Sequence, residues 1–235
     1  MKGRGLQVIR AGCGKVQGCV IGVFALWLLC LAPLPAKAAD WLVLLVDRSN
    51  SIDDTELRLQ REAYIRLLTD EAIVQALQNT RVAIVEFDTR AEVVAGWSNA
   101  LGAARSYSRM SPDGLRGQTA IGAALAQALA LLVGKEGRRI IDVSGDGREN
   151  VDQRLLVKMR RRAAERSIVI NGLAIEGEKE GDLRTYYDRN VATGFVLPVQ
   201  EREDFYQALR SKLFLEIAES SPLGIQKAAV GNGAH

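Results

Sequence analysis

From Asp40 onward, short continuous apolar runs alternate with longer stretches whose apolar positions recur every three or four residues. Trp41-Leu42-Val43-Leu44-Leu45-Val46 has no in/out alternation, which is the pattern of a strand covered on both faces, and it stops at Asp47. A helix-forming stretch follows over 54–68, with Ser51 and Asp54 arranged like a capping box, and Asp70 is placed to cap a second piece ending near Gln78. Two further strands, 81–87 and 92–97, are joined through the short connection Asp88-Thr89-Arg90, so they pair as a hairpin and make the second an antiparallel edge. An Ala- and Leu-rich helix covers 119–133 and stops at Gly134, the residue type expected just past a helix end. Strands at 139–143, 168–175 and 194–199 are interleaved with a basic amphipathic helix at 151–166 and a short helix at 183–190. The polar, glycine-containing segment 176–182 is a loop, and 204–219 closes the pattern as a helix with Phe205, Leu209, Leu213 and Ile217 on one stripe.

Strands alternating with helices predict a doubly wound α/β fold: a mainly parallel six-stranded sheet, helices on both faces, one antiparallel edge strand. No linker, repeat or second hydrophobic set divides 40–219, so this stretch is read as one domain. The tail 220–235, with Pro222 and three glycines, is read as flexible.

The first 39 residues are of a different kind. They hold five basic residues, no acidic residue and all three cysteines, Cys13, Cys19 and Cys30. A basic start, an apolar run over 20–31 and the small-residue string Ala36-Lys37-Ala38-Ala39 read as a secretory signal at 1–39, cleaved near Ala38 or Ala39. The apolar run is shorter than the roughly 20 residues a spanning helix needs, so an uncleaved anchor is the lesser alternative and the only route to membrane attachment. The expected location is periplasmic or secreted. Without this segment the formal charge moves from +3 to −2, with 26 basic against 28 acidic side chains, which removes the case for nucleic-acid binding. The remainder has no cysteine, and its one histidine is the last residue, His235. Thiol catalysis, Cys/His zinc sites and any triad needing an internal histidine are excluded on that inventory.

In sheets of this class ligands bind beyond the carboxyl ends of the strands, near the point where strand order reverses. Asp47-Arg48-Ser49-Asn50-Ser51 follows the first strand, Ser144-Gly145-Asp146-Gly147 the fourth, and Gly117-Gln118-Thr119 opens the Ala-rich helix. Two carboxylates and three hydroxyls, all hard oxygen donors, thus come to one edge. A small hard cation such as Mg²⁺ wants such oxygens in near-octahedral geometry. A site this poor in carboxylates leaves the cation able to take a further anionic oxygen from outside.

Asp47-x-Ser49-x-Ser51, the downstream Thr119 and then Asp146-Gly147 resemble the metal-ion-dependent adhesion site of von Willebrand factor A domains, and the order of elements matches across essentially all of 40–219. The stretches 142–147 and 170–173 and the pair Tyr186-Tyr187 further resemble an exported bacterial A-domain family of unknown function. The resemblance implies that Ser49, Ser51 and Thr119 supply oxygens to a metal, Mg²⁺ or alternatively Mn²⁺ or Ca²⁺, with Asp47 and Asp146 acting directly or through bound water. Two departures stand out. Ser144-Gly145 separates the expected strand end from Asp146 while Asp142 lies within the strand, and Gln118 precedes Thr119 where relatives often carry glycine. Asp146 is preferred because Gly147 follows it; Asp142 is then a buried supporting acid.

Simpler roles compete at each position. Asp and Ser are ordinary capping residues, so the first segment alone does not define a metal site; the joint placement of three segments does. Arg160-Arg161-Arg162 with Arg166 reads as a solvated helix face, and neither GxxxxGK[ST] nor GxGxxG occurs. Trp41 and Trp97 read as packing residues, while Asp88 and the acidic loop residues Glu176, Glu178 and Glu180 fit either a site rim or plain solvent. The expected function is a non-enzymatic, exported binding domain that captures a carboxylate of a partner protein through a divalent cation. The alternatives are a magnesium-dependent hydrolase of phosphate esters, which lacks an evident base, and a metal-free scaffold or assembly factor.

Overall fold

The computed structural model describes residues 39–110, 117–176, 182–200 and 204–218. The signal segment 1–39 falls outside these residues but for Ala39, as does the whole tail 220–235 and most of the loop 176–182. The strands are β1 (Asp40–Asp47), β2 (Thr80–Phe87), β3 (Ala91–Ser98), β4 (Arg139–Gly145), β5 (Val169–Ile175) and β6 (Val196–Val199). The helices are α1 (Asp54–Thr69), α2 (Glu71–Ala76), α3 (Ala100–Ser108), α4 (Ile121–Leu131), α5 (Gln153–Glu165), α6 (Leu183–Asn190) and α7 (Phe205–Ala218).

The strands form one sheet in the order β3-β2-β1-β4-β5-β6, all parallel except the β2–β3 hairpin. The order reverses between β1 and β4. Alternate residues of β1 serve opposite faces, as its unbroken apolar run requires. Leu42, Leu44 and Val46 pack with α1, α3 and α7, whereas Val43 and Leu45 pack with α4, α5 and α6. The fold class read from the sequence is the fold observed. No helix among the described residues is long and apolar enough to cross a membrane.

Four local expectations are corrected. The capping box of α1 is Asp53 with Glu56, not Ser51 with Asp54: the Asp53 carboxylate accepts from the Thr55 and Glu56 amides at 2.7 and 2.8 Å, and Glu56 accepts from the Asp53 amide at 3.0 Å. Ser51 is therefore left over for other work. Helix α3 was not anticipated, although Asn99 caps it and Ala100, Ala103, Ala104 and Tyr107 bury one stripe at helical spacing. Helix α4 begins at Ile121 rather than at Thr119, which leaves the threonine in the loop before it. Strand β4 continues two residues beyond Val143, because Ser144 and Gly145 keep their ladder with Leu173 and Ala174 of β5. Asp146 consequently sits directly at the strand end, and the apparent departure from the A-domain pattern disappears.

Trp41 and Trp97 meet edge to face at 4.9 Å between ring centroids, with the Lys135 ammonium 4.4 Å from the Trp41 centroid. The arginine-rich face of α5 is not wholly solvated, since Arg160 donates through Nε and Nη2 to the Ala192 carbonyl at 2.9 and 2.7 Å.

Helices α4 and α5 cross so closely that a Cβ on Gly122 would lie 2.7 Å from the backbone nitrogen of Leu156. Gly122→Ala is expected to lower unfolding free energy by about 1–2 kcal/mol, the overpacking cost exceeding the helix-propensity gain. Gly96→Ala on β3, where a Cβ meets nothing within 4 Å, is expected to be neutral or slightly stabilising. Denaturant titration of the two variants checks this; equal stability would mean that α4 and α5 are less tightly apposed.

Candidate functional site

The parallel register of β1 against β4 pairs Val46 with Ser144, so the two strands end side by side at Asp47 and Gly145. Just past those ends the chain turns back on itself, and the Asp47 Oδ1 accepts from the Ser49 amide at 2.8 Å, which fixes the turn. Ser49 and Ser51 hydroxyls lie 3.0 Å apart. The Ser51 hydroxyl donates to Asp146 Oδ1 at 2.6 Å, and the Thr119 hydroxyl donates to the Ser49 oxygen at 3.1 Å. Thr119, Ser49, Ser51 and Asp146 are thus one continuous string of oxygen atoms drawn from three chain segments. All five residues singled out in the sequence come together here.

The threonine loop is held by backbone as much as by side chain. Asn50 donates from its amide to the Gly117 carbonyl at 2.9 Å, and Ala120 donates to the Asp88 carbonyl at 2.9 Å. The Gln118 amide donates to the Thr89 hydroxyl at 2.9 Å, and Gln118 lies in a non-helical loop, so it meets no demand for glycine. Two glycines are required by close approach. A Cβ on Gly145 would stand 2.7 Å from Asp47 Oδ2 and 2.6 Å from the Tyr187 hydroxyl, and one on Gly147 would stand 2.8 Å from the Thr119 hydroxyl.

Several supporting residues carried no pattern in the chain. Asn150 exchanges two hydrogen bonds with Thr119, its side-chain oxygen accepting from the Thr119 amide at 2.8 Å and its own amide donating to the Thr119 carbonyl at 3.1 Å. The Glu149 carboxylate accepts from the Gly122 amide at 2.6 Å and from the Val151 and Asp152 amides at 2.9 Å, tying the β4 exit to α4 and α5. Arg48 lies 3.5 Å from Glu86 and 3.6 Å from Asp88. Asp88 therefore anchors Arg48 and the β2–β3 turn, where its Oδ1 accepts from the Arg90 amide at 2.9 Å. These partners are 27 to 40 residues away or sit in turns, where spacing rules have no purchase.

Asp142 is not at this edge. Its side chain leaves the opposite side of β4 and meets Lys212 of α7, so it supports no group of the oxygen string.

The string borders a cleft of about 300 Å³ lined by Ser49, Ser51, Gln118, Thr119, Gly147 and Arg148. Asp47 and Ser49 are buried at 0% and 1% exposure, whereas Ser51 is exposed, so the string runs from the interior to solvent. Burial and then the Asp146 charge push the Asp47 carboxyl from the usual 3.8 up to about 7. Its Oδ2 is buried and accepts no hydrogen bond from any described residue. A buried carboxylate oxygen without a partner costs free energy unless a proton or a cation comes to it. The donor set fits a hard cation of modest charge demand. Among the described residues no three His, Cys, Asp or Glu side chains cluster, because here three of the five donors are hydroxyls.

A family model described as protein of unknown function (DUF1194) matches residues 38–221. No curated protein matches the chain in sequence. Among solved structures, an aerotolerance-related membrane protein from Bacteroides fragilis is 20% identical with a TM-score of 0.56, over 74% of this chain and 98% of that one. A von Willebrand factor type A protein from Catenulispora acidiphila is 17% identical with a TM-score of 0.59, over 75% of this chain and 42% of that one. Proximal thread matrix protein 1 from the mussel byssus, solved with a zinc-occupied metal-ion-dependent adhesion site, is 18% identical with a TM-score of 0.61, over 77% of this chain and 46% of that one. This chain spans less than half of the last two, and at these identities the likeness is one of fold: a von Willebrand A-like domain.

The raised Asp47 carboxyl has a measurable consequence in metal-free protein. A carboxyl with a higher value folded than unfolded favours the fold at low pH, and that stability is lost as pH rises from about 4 through about 7. In chelator, the parent should lose about 2–3 kcal/mol more than Asp47→Asn between about pH 5 and about pH 8. Parallel denaturant titrations check it; equal losses would show that Asp47 is ionised in the fold without penalty.

Proposed function

The chain belongs to the DUF1194 family of unknown function, and from the geometry of its sheet edge we propose that it is an exported, divalent-cation-dependent binding domain that captures a carboxylate of a partner protein. The observation that carries this reading is the continuous string Thr119, Ser49, Ser51, Asp146, lying beside a buried Asp47 oxygen that no described residue satisfies. Ser49, Ser51 and Thr119 would hold the cation through their hydroxyl oxygens. Asp47 and Asp146 would offset its charge, directly or through water. A bound Mg²⁺, or Mn²⁺ or Ca²⁺ in its place, supplies a positive centre able to accept one further anionic oxygen.

The rest is done by the protein. Gly147 leaves room for the Thr119 hydroxyl, Asn150 orients that residue from both sides of its backbone, and the turn fixed by Asp47 presents both serines to one side. The Arg148 and Gln118 side chains line the cleft beside the serines, where they can meet the groups flanking a partner's carboxylate. The basic, apolar leader and the cysteine-free remainder support export, with processing near Ala38 or Ala39.

Binding is favoured over turnover because the position two residues after Asp47, where a phosphoaspartate-type hydrolase keeps its second acid, is Ser49. Asp47 itself is fully buried, which suits a supporting acid better than a nucleophile.

Titration calorimetry of the chain with Mg²⁺ and Mn²⁺ tests the proposal. The parent is expected to bind one equivalent, and Asp47→Ala, Ser49→Ala and Thr119→Ala each to bind about tenfold or more weakly, a loss of at least about 1.4 kcal/mol. Variants that bind as well as the parent would remove the site. Turnover of generic phosphate esters with Mg²⁺, lost in Asp47→Ala, would replace the binding reading with the hydrolase.

A further inference from the structure

The side chains of Asp142, Lys212, Glu216 and Asn171 form a closed polar cluster on the far side of β4, at 1%, 0%, 0% and 0% exposure. The Lys212 Nζ lies 2.6 Å from Asp142 Oδ2 and 2.8 Å from Glu216 Oε1, and the Asn171 side-chain amide donates to the same Glu216 oxygen at 2.9 Å. The Phe195 ring, with its centroid 5.9 Å from Nζ, walls the cluster on one side. Ser144 and Tyr64, joined by a 2.7 Å hydrogen bond, lie beside it on β4 and α1. An Arg138 Nη1 hydrogen bond to the Glu216 carbonyl holds that turn of α7 against the sheet. None of this is used by the oxygen string.

An amine held against one carboxyl, with a second carboxyl touching the same nitrogen, is the arrangement needed to make an amide. We propose that Lys212 and Asp142 are joined by an intramolecular isopeptide bond, formed by the folded chain itself with Glu216 as its catalytic residue.

The chemistry balances without any co-reactant. The cluster starts as Asp142 carboxylic acid, Lys212 ammonium and Glu216 carboxylate, a set with no net charge. Glu216 takes one proton from the ammonium, and the freed amine lone pair attacks the Asp142 carboxyl carbon, forming the C–N bond. Proton relay through Glu216 moves a proton from the nitrogen to the departing hydroxyl, and the C–O bond breaks with release of water. The product is the amide, one water and protonated Glu216. In water this condensation fails because acid and amine are both ionised. Burial removes the obstacle on the acid side, since taking a carboxylate out of water favours its neutral form, while the two facing carboxyls keep Lys212 as the ammonium until Glu216 takes its proton. Consistent with this, burial and the Glu216 charge push the Asp142 carboxyl up to about 7 despite the adjacent lysine. The fixed approach supplies the rest: groups held in attack geometry react as if at effective concentrations of about 10⁵ M or more.

The bond would staple the last helix, α7, to β4, the strand that carries Asp146. The sequence has no cysteine after Cys30, so no disulfide could do this in the domain.

The test is the intact mass of the purified full chain under denaturing conditions, with its N-terminus sequenced in parallel. The parent is expected one water lighter than its sequence, and protease digestion is expected to yield one branched peptide containing both Asp142 and Lys212. Lys212→Arg should have its full sequence mass, and Glu216→Gln should form the bond about a hundredfold or more slowly. A parent at full sequence mass overturns the proposal, and it does so even if both variants fail to fold. So does a water loss that maps to a cyclic imide at Asp146-Gly147. Loss of ammonia instead of water, as an amide acceptor such as Asn171 would give, also contradicts Asp142 as the acceptor.

Discussion

The constraint on which the candidate site depends is the parallel register of β1 against β4 at the point where strand order reverses. It ends the two strands side by side, so a buried aspartate at the end of one meets a glycine at the end of the other. Any side chain at Gly145 would collide with Asp47 Oδ2 or with Tyr187. Once that pair is in place, the chain leaving β1 carries Ser51 to Asp146 with Ser49 beside it, and the loop before α4 brings Thr119 to Ser49. The string of oxygens is a consequence of strand pairing before it is a property of any one loop.

The neighbouring strands β1 and β4 each carry one buried acid, and the two are in opposite situations. Asp142 faces α7 and is met there by the Lys212 side chain, so a partner from the protein answers it inside the fold. Asp47, at the end of β1 across the register from β4, is met by the Ser49 amide, and its Oδ2 has no partner among the described residues. The contrast is informative because the same sheet shows that this protein can bring a buried nitrogen to a carboxyl where one is wanted. Leaving Asp47 unanswered lowers the stability of the metal-free fold at neutral pH. A ligand that met that oxygen would recover the lost stability through its own binding.

Much of this was legible in the chain before the fold was known. The unbroken apolar run 41–46 announced a strand buried on both faces, and the alternation of runs and helical stretches announced the winding. The five oxygen-bearing residues were legible because the fold class says where strand ends gather. What escaped detection depended on choices that local pattern leaves open. Ser51 and Asp53 are both good caps, and only the backbone decides which one is used. Ser144 and Gly145 look like the start of a turn, yet the ladder with β5 carries the strand through them. Asn150, Glu149 and the pairing of Asp142 with Lys212 join residues with no common period, and the 70-residue gap in the last case has no sequence signature.

The central claim is that Asp47, Ser49, Ser51, Thr119 and Asp146 hold one divalent cation with a coordination position open to solvent. Anomalous diffraction from crystals of the chain soaked in Mn²⁺ measures it most directly. The account predicts a single strong peak bonded to the hydroxyl oxygens of Ser49, Ser51 and Thr119, facing the cleft beside Gly147 and Arg148. A peak elsewhere, or none at this edge at saturating Mn²⁺, would contradict it.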